Sequence, residues 1–479
     1  MAADIGHIVV LMLENRSFDC MLGRLYPGDP TYGGLTLNES NVYGMTYGVW
    51  NDPELTAAIA CTPDPDPGES FADMNVQLFG AAGRAQDAPV TMSGFALNYA
   101  QLPAKEGWRD PGAVMHYFTP DQVPVLSRLA KAFGVCDQWF ASAPCQTWPN
   151  RFFAHTGTSL GYVDNDALPI PFHGASIFSR LEGQGVPWRV YFHDMPQSIL
   201  LEDVWSSAPR RFRPFSQFIA DAHTGTLPGY SFIEPRYFAD LFTGSIPNDQ
   251  HPPHNVLYGE QLIAQVYNAV RSSPCWNNTL LIITYDEHGG CYDHVPPPEA
   301  VPPDDLVANS YGFTFNSYGV RVPAVIISPY VPPGSRIRPA ADPNASGAPF
   351  DHTSIIKTVR ETFRLADPLS ARDGAAPSLL PTLSLPGPTN NGPLSLTAPL
   401  PSGDQLRSEV TARAAAPPNG MQAALAAAAA HLPSSPPVPG APMPPPQPQS
   451  SAYPTVTTAR TAAVARTNQF LGLSSTTPA

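Results

Sequence analysis

Two short apolar runs, each closed by a pair of oxygen-bearing side chains, constrain this chain more than any other feature. Residues 8–13 (IVVLML) end at Glu14-Asn15, and residues 280–285 (LLIITY) end at Asp286-Glu287. Runs this short, β-branched and unalternating read as strands buried on both faces of a parallel sheet. Further strand-like runs occupy residues 133–140, 187–192, 229–233 and 322–328, with helical patterns at 255–272 and 353–365. Such alternation predicts an α/β fold built on a doubly wound sheet. Ligands of open α/β sheets bind beyond the carboxyl ends of the strands. If the two runs lie side by side, three carboxylates and one amide meet at one rim, the outline of a hard-cation site.

Composition narrows the partners. The 479 residues carry 26 Lys+Arg against 40 Asp+Glu, a formal net charge of -14. That balance argues against nucleic acid and against electrostatic docking on an anionic bilayer, leaving at most peripheral membrane contact. No stretch approaches the roughly 18 apolar residues of a membrane span. The N-terminus shows no basic n-region and no cleavable apolar segment, so the chain as written is expected in the cytoplasm, and in the periplasm or outside the cell if a leader has been removed. The six cysteines include no C-x-x-C pair and dictate neither a metal framework nor disulfides. The 58 prolines imply long loops, placed at residues 24–110 and 290–320, and a Pro/Ala-rich tail. The expected division is a catalytic domain over 1–370 and a C-terminal segment over 371–479. That segment reads as a poorly ordered linker, richest in proline at 436–448, with short helices at 421–432 and 457–471. The sequence does not fix the oligomeric state.

Glu14, Asn15, Asp286 and Glu287 offer oxygen ligands only, which suits one divalent ion of the Ca²⁺, Mg²⁺ or Mn²⁺ type and leaves Zn²⁺ open. Any one of them alone reads as a turn residue or helix cap; the same ending on two strands favours ligation. A nucleophile belongs near a helix start, where the dipole and a cation both favour an alkoxide and an incoming phosphate. Thr147, in Thr147-Trp148-Pro149-Asn150-Arg151, fits, because Pro149 suits a first helical turn. In isolation Thr147 reads as an N-cap, and Arg151 reads as the partner of an acid before it reads as a phosphate clamp. Among twelve histidines, His193 follows a strand end, and His251 and His254 flank Pro252-Pro253 before a helix. His193 and His251 are the expected catalytic imidazoles, with Asn15, His254 and Arg151 facing substrate.

Two other classes compete. Gly157-Thr158-Ser159-Leu160-Gly161 matches the serine-hydrolase elbow, which would make Ser159 the nucleophile of an esterase or lipase. An elbow needs a strand before the serine and a helix after it; here residues 149–156 read as helix and 163–169 as loop. A non-catalytic binding protein would show a broken metal or nucleophile position, and none is broken.

Five ordered blocks carry a resemblance: Glu14-Asn15-Arg16-Ser17-Phe18-Asp19; Thr147 to Arg151; His251-Pro252-Pro253-His254-Asn255-Val256 with Gly259-Glu260; Asp286-Glu287-His288-Gly289-Gly290-Cys291-Tyr292-Asp293-His294-Val295; and Gly319-Val320-Arg321-Val322-Pro323. Over residues 5–375 the chain resembles bacterial phospholipases C, plant non-specific phospholipases C and the acid phosphatases of their superfamily. The resemblance implies a three-layer, alkaline-phosphatase-like core with a central, mostly parallel sheet. It implies that Glu14, Asn15, Thr147, Asp286 and Glu287 surround one metal ion and the reacting phosphate. Thr147 then passes through a phosphothreonine intermediate, and His193 and His251 face the phosphate. The implied substrate is a phosphatidylcholine-type phospholipid, cleaved to diacylglycerol and phosphorylated headgroup, with acid phosphatase action on phosphomonoesters as the alternative. Cys291 departs from the aromatic common after Gly-Gly. The tail is unlike the longer lipid-associated C-terminal regions of the family.

Overall fold

A computed structural model describes residues 3–83, 89–102, 109–165, 170–339, 347–436 and 453–473. Its ten strands are β1 His7–Leu13, β2 Ser40–Tyr43, β3 Met45–Gly48, β4 Gly134–Cys136, β5 Trp188–Phe192, β6 Phe212–Pro214, β7 Tyr230–Ile233, β8 Thr279–Tyr285, β9 Ala324–Ile327 and β10 Ser335–Ile337. Eight of them form one sheet in the order β10-β4-β9-β8-β1-β7-β5-β6, and β2 and β3 pair separately as a hairpin. Only β9 runs against its neighbours; every other pairing in the large sheet is parallel.

The apolar runs 8–13 and 280–285 lie side by side at the sheet's centre, in a register that pairs Leu13 with Tyr285. All of Ile8 to Leu13 and Leu280 to Ile283 are fully buried. Each such side chain contributes about 1.5–3 kcal/mol of transfer free energy, which fixes the pairing. Helices Pro124–Ala132, Phe215–Thr224 and Val256–Ser272 pack together as one group, and Thr147–Thr156, Ile177–Gly183 and Thr353–Phe363 as another, giving the α/β three-layer core. The 255–272 expectation falls one residue long because Asn255 is the N-cap, its side chain accepting from Leu257 N.

Two expectations are corrected. The strand expected over 133–140 stops at Cys136, because Trp139 and Phe140 leave it for isolated bridges with Phe350 and Arg321. Residues 24–110, read as loop, contain the β2–β3 hairpin and helices Phe71–Phe79 and Phe95–Gln101. In the C-terminal segment, helices Gly403–Ala415, Gly420–His431 and Val456–Leu471 bury Ala414, Leu425, Ala429, Ala463 and Phe470 in the same hydrophobic cluster as β1 and β8. The Pro-rich run beyond residue 436 lies outside the described residues. Among the described residues no helix is long and apolar enough to cross a membrane, and all six cysteines are buried.

Candidate active site

Where β1 ends, Glu14 is drawn in by its own amide, which donates to the Asp249 carbonyl across 2.8 Å. Asn15 then turns the chain with φ +54°, a left-handed conformation that asparagine tolerates better than most residues. Its backbone N–H donates to Asp286 Oδ1 (3.0 Å), and its side-chain Nδ2 donates to Glu287 Oε1 (2.7 Å) and Glu69 Oε1 (2.7 Å). The turn from β8 passes so close that a Cβ on Gly289 (φ +60°) would sit 2.2 Å from the Asn15 carbonyl oxygen. Only glycine fits there.

Thr147 is the first residue of helix Thr147–Thr156, not its N-cap; Gln146 takes that place and makes no side-chain cap bond. The hydroxyl is therefore not spent on the helix and lies 3.4 Å from Asn15 Oδ1, to which it donates. Four residues on, Arg151 projects from the same helical face and places Nη2 2.8 Å from Glu14 Oε1 and Nε 3.4 Å from Asp286 Oδ2. Nη2 also donates to the carbonyls of Met12 (3.2 Å) and Leu13 (3.4 Å). Arg151 is thus committed to the acids and the end of β1, the pairing reading of this residue.

Two carboxylates missing from the sequence reading complete the cluster. Glu69 Oε1 lies 3.3 Å from His251 Nε2, and Asp66 Oδ1 lies 3.6 Å from His251 Nδ1, which is also 2.6 Å from the Pro252 carbonyl. Both acids come from the Pro-rich turn before helix Phe71–Phe79. The one available signal was the Ser70–Asp73 capping box that starts that helix, which marks an ordered turn but not where it points. His254 stands one layer back, its Nδ1 2.7 Å from Asp249 Oδ1. His193 is not brought to the cluster. It follows β5, separated from β1 by β7. Its Nδ1 meets the Glu234 carbonyl at 3.1 Å, and its ring stacks on Phe215 at 4.4 Å. Strand-end position alone could not reveal how many strands lie between.

The electrostatics are those of an acid excess out of water. Burial pushes the carboxyls of Glu14 and Glu287 well up, reinforced by Asp286 for both and by Glu69 for Glu287, while Arg151 pulls Glu14 down. Asp286 is raised by burial against Arg151 and the amides of Asn15 and Glu287. Burial pushes the His251 imidazole down, but Glu69 and Asp66 outweigh it and hold the ring well above its ordinary value. Five carboxylates (Glu14, Asp66, Glu69, Asp286 and Glu287) thus face two cationic groups, Arg151 and His251. Glu14 Oε2 and Asp286 Oδ2 are buried without a hydrogen-bond partner. Unpartnered buried carboxylate oxygens beside an amide and a hydroxyl fit a hard divalent cation. Asp66, Glu69 and His251 form one tight potential ligand group, with ligand atoms within 4.8 Å of one another. The other such group among the described residues, Asp19, Asp293 and His294, is bridged by Arg321 at 3.0 Å from both acids and reads as an ion-pair network.

Ser159 is not a nucleophile elbow. It follows the helix that ends at Gly157, no strand precedes it, and its hydroxyl donates to the Tyr162 carbonyl at 2.7 Å.

A family model described as the phosphoesterase family matches residues 5–366, a stretch that contains every residue of this cluster. The chain belongs to the phosphoesterase family. It is therefore a hydrolase of phosphoric ester bonds. Among the relatives of this phosphoesterase, non-specific phospholipase C4 of Arabidopsis thaliana is 37% identical over 409 residues, covering 83% of this chain and 75% of the relative. Non-specific phospholipase C1 of the same plant is 38% identical over 381 residues, covering 75% and 67%. Phospholipase C B of Mycobacterium tuberculosis is 28% identical over 456 residues, covering 83% and 81%.

Proposed function

We propose that this phosphoesterase is a phospholipase C that cleaves phosphatidylcholine-type phospholipids to diacylglycerol and the phosphorylated headgroup, with Thr147 as nucleophile. The observation that carries the reading is the Thr147 hydroxyl, free of any capping role and set against Asn15 at the ends of β1 and β8. The names of the relatives support the substrate class.

Glu14, Asn15, Thr147, Asp286 and Glu287 are the residues that would hold a divalent cation. Bound there, the ion would lower the pKa of the hydroxyl and offset charge on the phosphoryl oxygens. Thr147 Oγ attacks phosphorus in line with the departing glycerol oxygen, giving a phosphothreonine that carries the headgroup. His251, kept cationic by Glu69 and Asp66, gives its proton to the leaving oxygen so that diacylglycerol departs neutral. Water then attacks the phosphothreonine and passes one proton to His251 as the P–Oγ bond breaks and the headgroup phosphate leaves, and Thr147 Oγ regains from solvent the proton it gave up to solvent on attack. The N-terminal turn of helix Thr147–Thr156 turns its dipole toward the developing negative charge. His193 has no part in this scheme.

Parallel assays of phosphatidylcholine vesicles and a soluble phosphomonoester, with and without chelator, test the reading. Release of diacylglycerol and phosphocholine, lost on chelation, is expected. Turnover of the monoester with no diacylglycerol release would replace the phospholipase assignment with that of an acid phosphatase.

A further inference from the structure

His193, displaced from the acidic cluster, lines a cavity. It has a volume of about 640 Å³ and lies between helices Phe215–Thr224 and Val256–Ser272, with Phe215, Arg236, Asn248, Gln261 and Gln265 also in its wall and no acidic residue among those that line it. Arg236 is the cationic member of that wall. Arg151, Arg321, Arg360 and Arg372 each meet a carboxylate, whereas Arg236 makes no ion pair among the described residues. The acids that act on it, Asp194 and Asp240, are committed elsewhere. Asp194 accepts from the backbone amides of Met195 (2.8 Å), Tyr237 (3.0 Å) and Phe238 (2.9 Å). Asp240 pairs with Arg460 at 2.8 Å and accepts from Thr243 at 2.8 Å. Asn248 spends its Oδ1 on the Arg236 amide, which leaves its Nδ2 donors for the cavity.

The tautomer of His193 adds selectivity. Its Nδ1 faces a carbonyl and must donate. Burial, and the nearby charge of Arg236, push the ring down to about 3, so it is neutral at working pH and Nε2 offers a lone pair. The cavity therefore presents a guanidinium fork and an amide as donors, with one imidazole nitrogen as acceptor. A fully ionised oxyanion satisfies the donors but not the acceptor. A hydrogen phosphate, with P–O⁻ and P–OH on one centre, satisfies all three.

We infer that this cavity binds a phosphate-type oxyanion bearing its own P–OH, as inorganic phosphate or as a phosphomonoester headgroup, at a site separate from the Thr147 cluster. The headgroup source rests on the phospholipase reading; the oxyanion site does not.

Calorimetric titration of the full chain near neutral pH with inorganic phosphate, phosphocholine and sulfate tests it. Two phosphate-binding events are expected in the wild type. One of them should weaken about tenfold or more in Arg236→Gln and in Ile219→Trp, which fills the cavity from an exposed position (38% exposed). Turnover at saturating substrate should stay unchanged in both. Because Ile219→Trp leaves Arg236 in place, it decides the matter if Arg236→Gln fails to fold. Phosphocholine competing for the Arg236-dependent event marks the headgroup as ligand, and phosphate binding there without such competition marks free phosphate. No phosphate binding in the wild type, phosphate binding untouched by Ile219→Trp, or sulfate binding as tightly as phosphate to the Arg236-dependent event would each overturn the inference. Absence of phospholipase activity, with both events intact, would count only against the headgroup source.

Discussion

The backbone amide of Asn15 donates to Asp286 Oδ1 across 3.0 Å, and this bond joins the end of β1 to the end of β8 where both strands deliver their acids. Because Leu13 pairs with Tyr285, Glu14 and Asp286 leave the sheet level with each other. The remaining groups are brought to that seam: Thr147 and Arg151 by one helix, Glu69 and Asp66 by the turn before another. The site is thus an assembly of strand ends closed by two helix starts, which is why a short hydrogen-bond network holds five acids together.

Replacing Thr147 with Ala should lower phosphoester turnover by about three orders of magnitude or more. Its side chain makes one long hydrogen bond, 3.4 Å to Asn15, so the stability cost should be about 1 kcal/mol or less. Thr147→Ser, which keeps the hydroxyl, should retain measurable turnover. Steady-state kinetics with thermal melts of both variants checks this; near wild-type turnover in Thr147→Ala would rule the nucleophile out.

The part of this site that local sequence makes legible is the part governed by strand ends. The unalternating burial of residues 8–13 and 280–285 announces central parallel strands, and a two-stranded rim then follows from sheet geometry alone. Thr147 is legible as a helix start, although Gln146 holds the cap position. His193 shows the limit: a strand end fixes the rim but not the strand order, and β7 lies between β5 and β1. Asp66 and Glu69 illustrate another limit, since a proline-rich turn has no periodicity from which its direction could be read. How the tail packs is not legible because its Ala-rich helices lack a marked apolar stripe. Alanine is small enough to pack closely on either side, and the burial of Ala426, Ala428, Ala429 and Ala463 comes from tertiary contact, not from amphipathic pattern.

Divalent cation should stabilise the folded chain. Five buried or half-buried carboxylates against Arg151 and His251 leave an uncompensated charge that a bound ion offsets, and a ligand at a hundredfold excess over its Kd adds about 2.7 kcal/mol. Calorimetric melts after chelation, and after adding back Ca²⁺, Mg²⁺, Mn²⁺ or Zn²⁺, should show the midpoint fall and then recover with at least one ion. Midpoints indifferent to all four would count against cation binding at Glu14, Asp286 and Glu287.

Arg151→Met should be among the most destabilising single changes in the molecule. It strips Glu14 and Asp286 of the guanidinium 2.8 Å and 3.4 Å away, and leaving buried charge unpaired costs about 3–5 kcal/mol. Low pH should rescue it in part, because both carboxyls are already raised by burial and protonate more readily once Arg151 is gone. Urea denaturation at about pH 5 and pH 8 should therefore show a smaller deficit at the lower pH. An equal deficit at both would mean that the loss is one of packing rather than charge.

Glu260 should make the chain less stable as pH rises. Its side chain is fully buried in helix Val256–Ser272 and accepts from the amides of Val125 (2.5 Å) and Leu126 (3.1 Å). Burial pushes its carboxyl up from 4.5 to about 8, with those two amides pulling the other way. The folded state thus keeps a proton that the unfolded chain releases above pH 4.5, so stability falls with rising pH from there to about pH 8 and levels off beyond. Glu260→Gln keeps an acceptor for the two amides but cannot ionise. Its unfolding midpoint in urea should exceed that of the wild type at about pH 9 and lose that advantage at about pH 4. Parallel pH profiles for the two proteins would show that the buried carboxyl does not titrate in this window.

Phe470 tests whether the tail belongs to the catalytic body. Its ring is fully buried and meets Trp205 edge-on at a centroid distance of 5.5 Å, while Gln422 Nε2 donates to the Tyr237 carbonyl (2.7 Å) and Arg413 Nη2 to that of Pro253 (2.6 Å), beside the His251–His254 turn. Removing a buried phenyl ring costs about 3–5 kcal/mol. Because the tail shares one hydrophobic cluster with the sheet, Phe470→Ala should lower the melting of the whole molecule in a single calorimetric transition. A separate low-temperature transition, with the main one unmoved, would instead show a tail that folds on its own, with a domain boundary near residue 370.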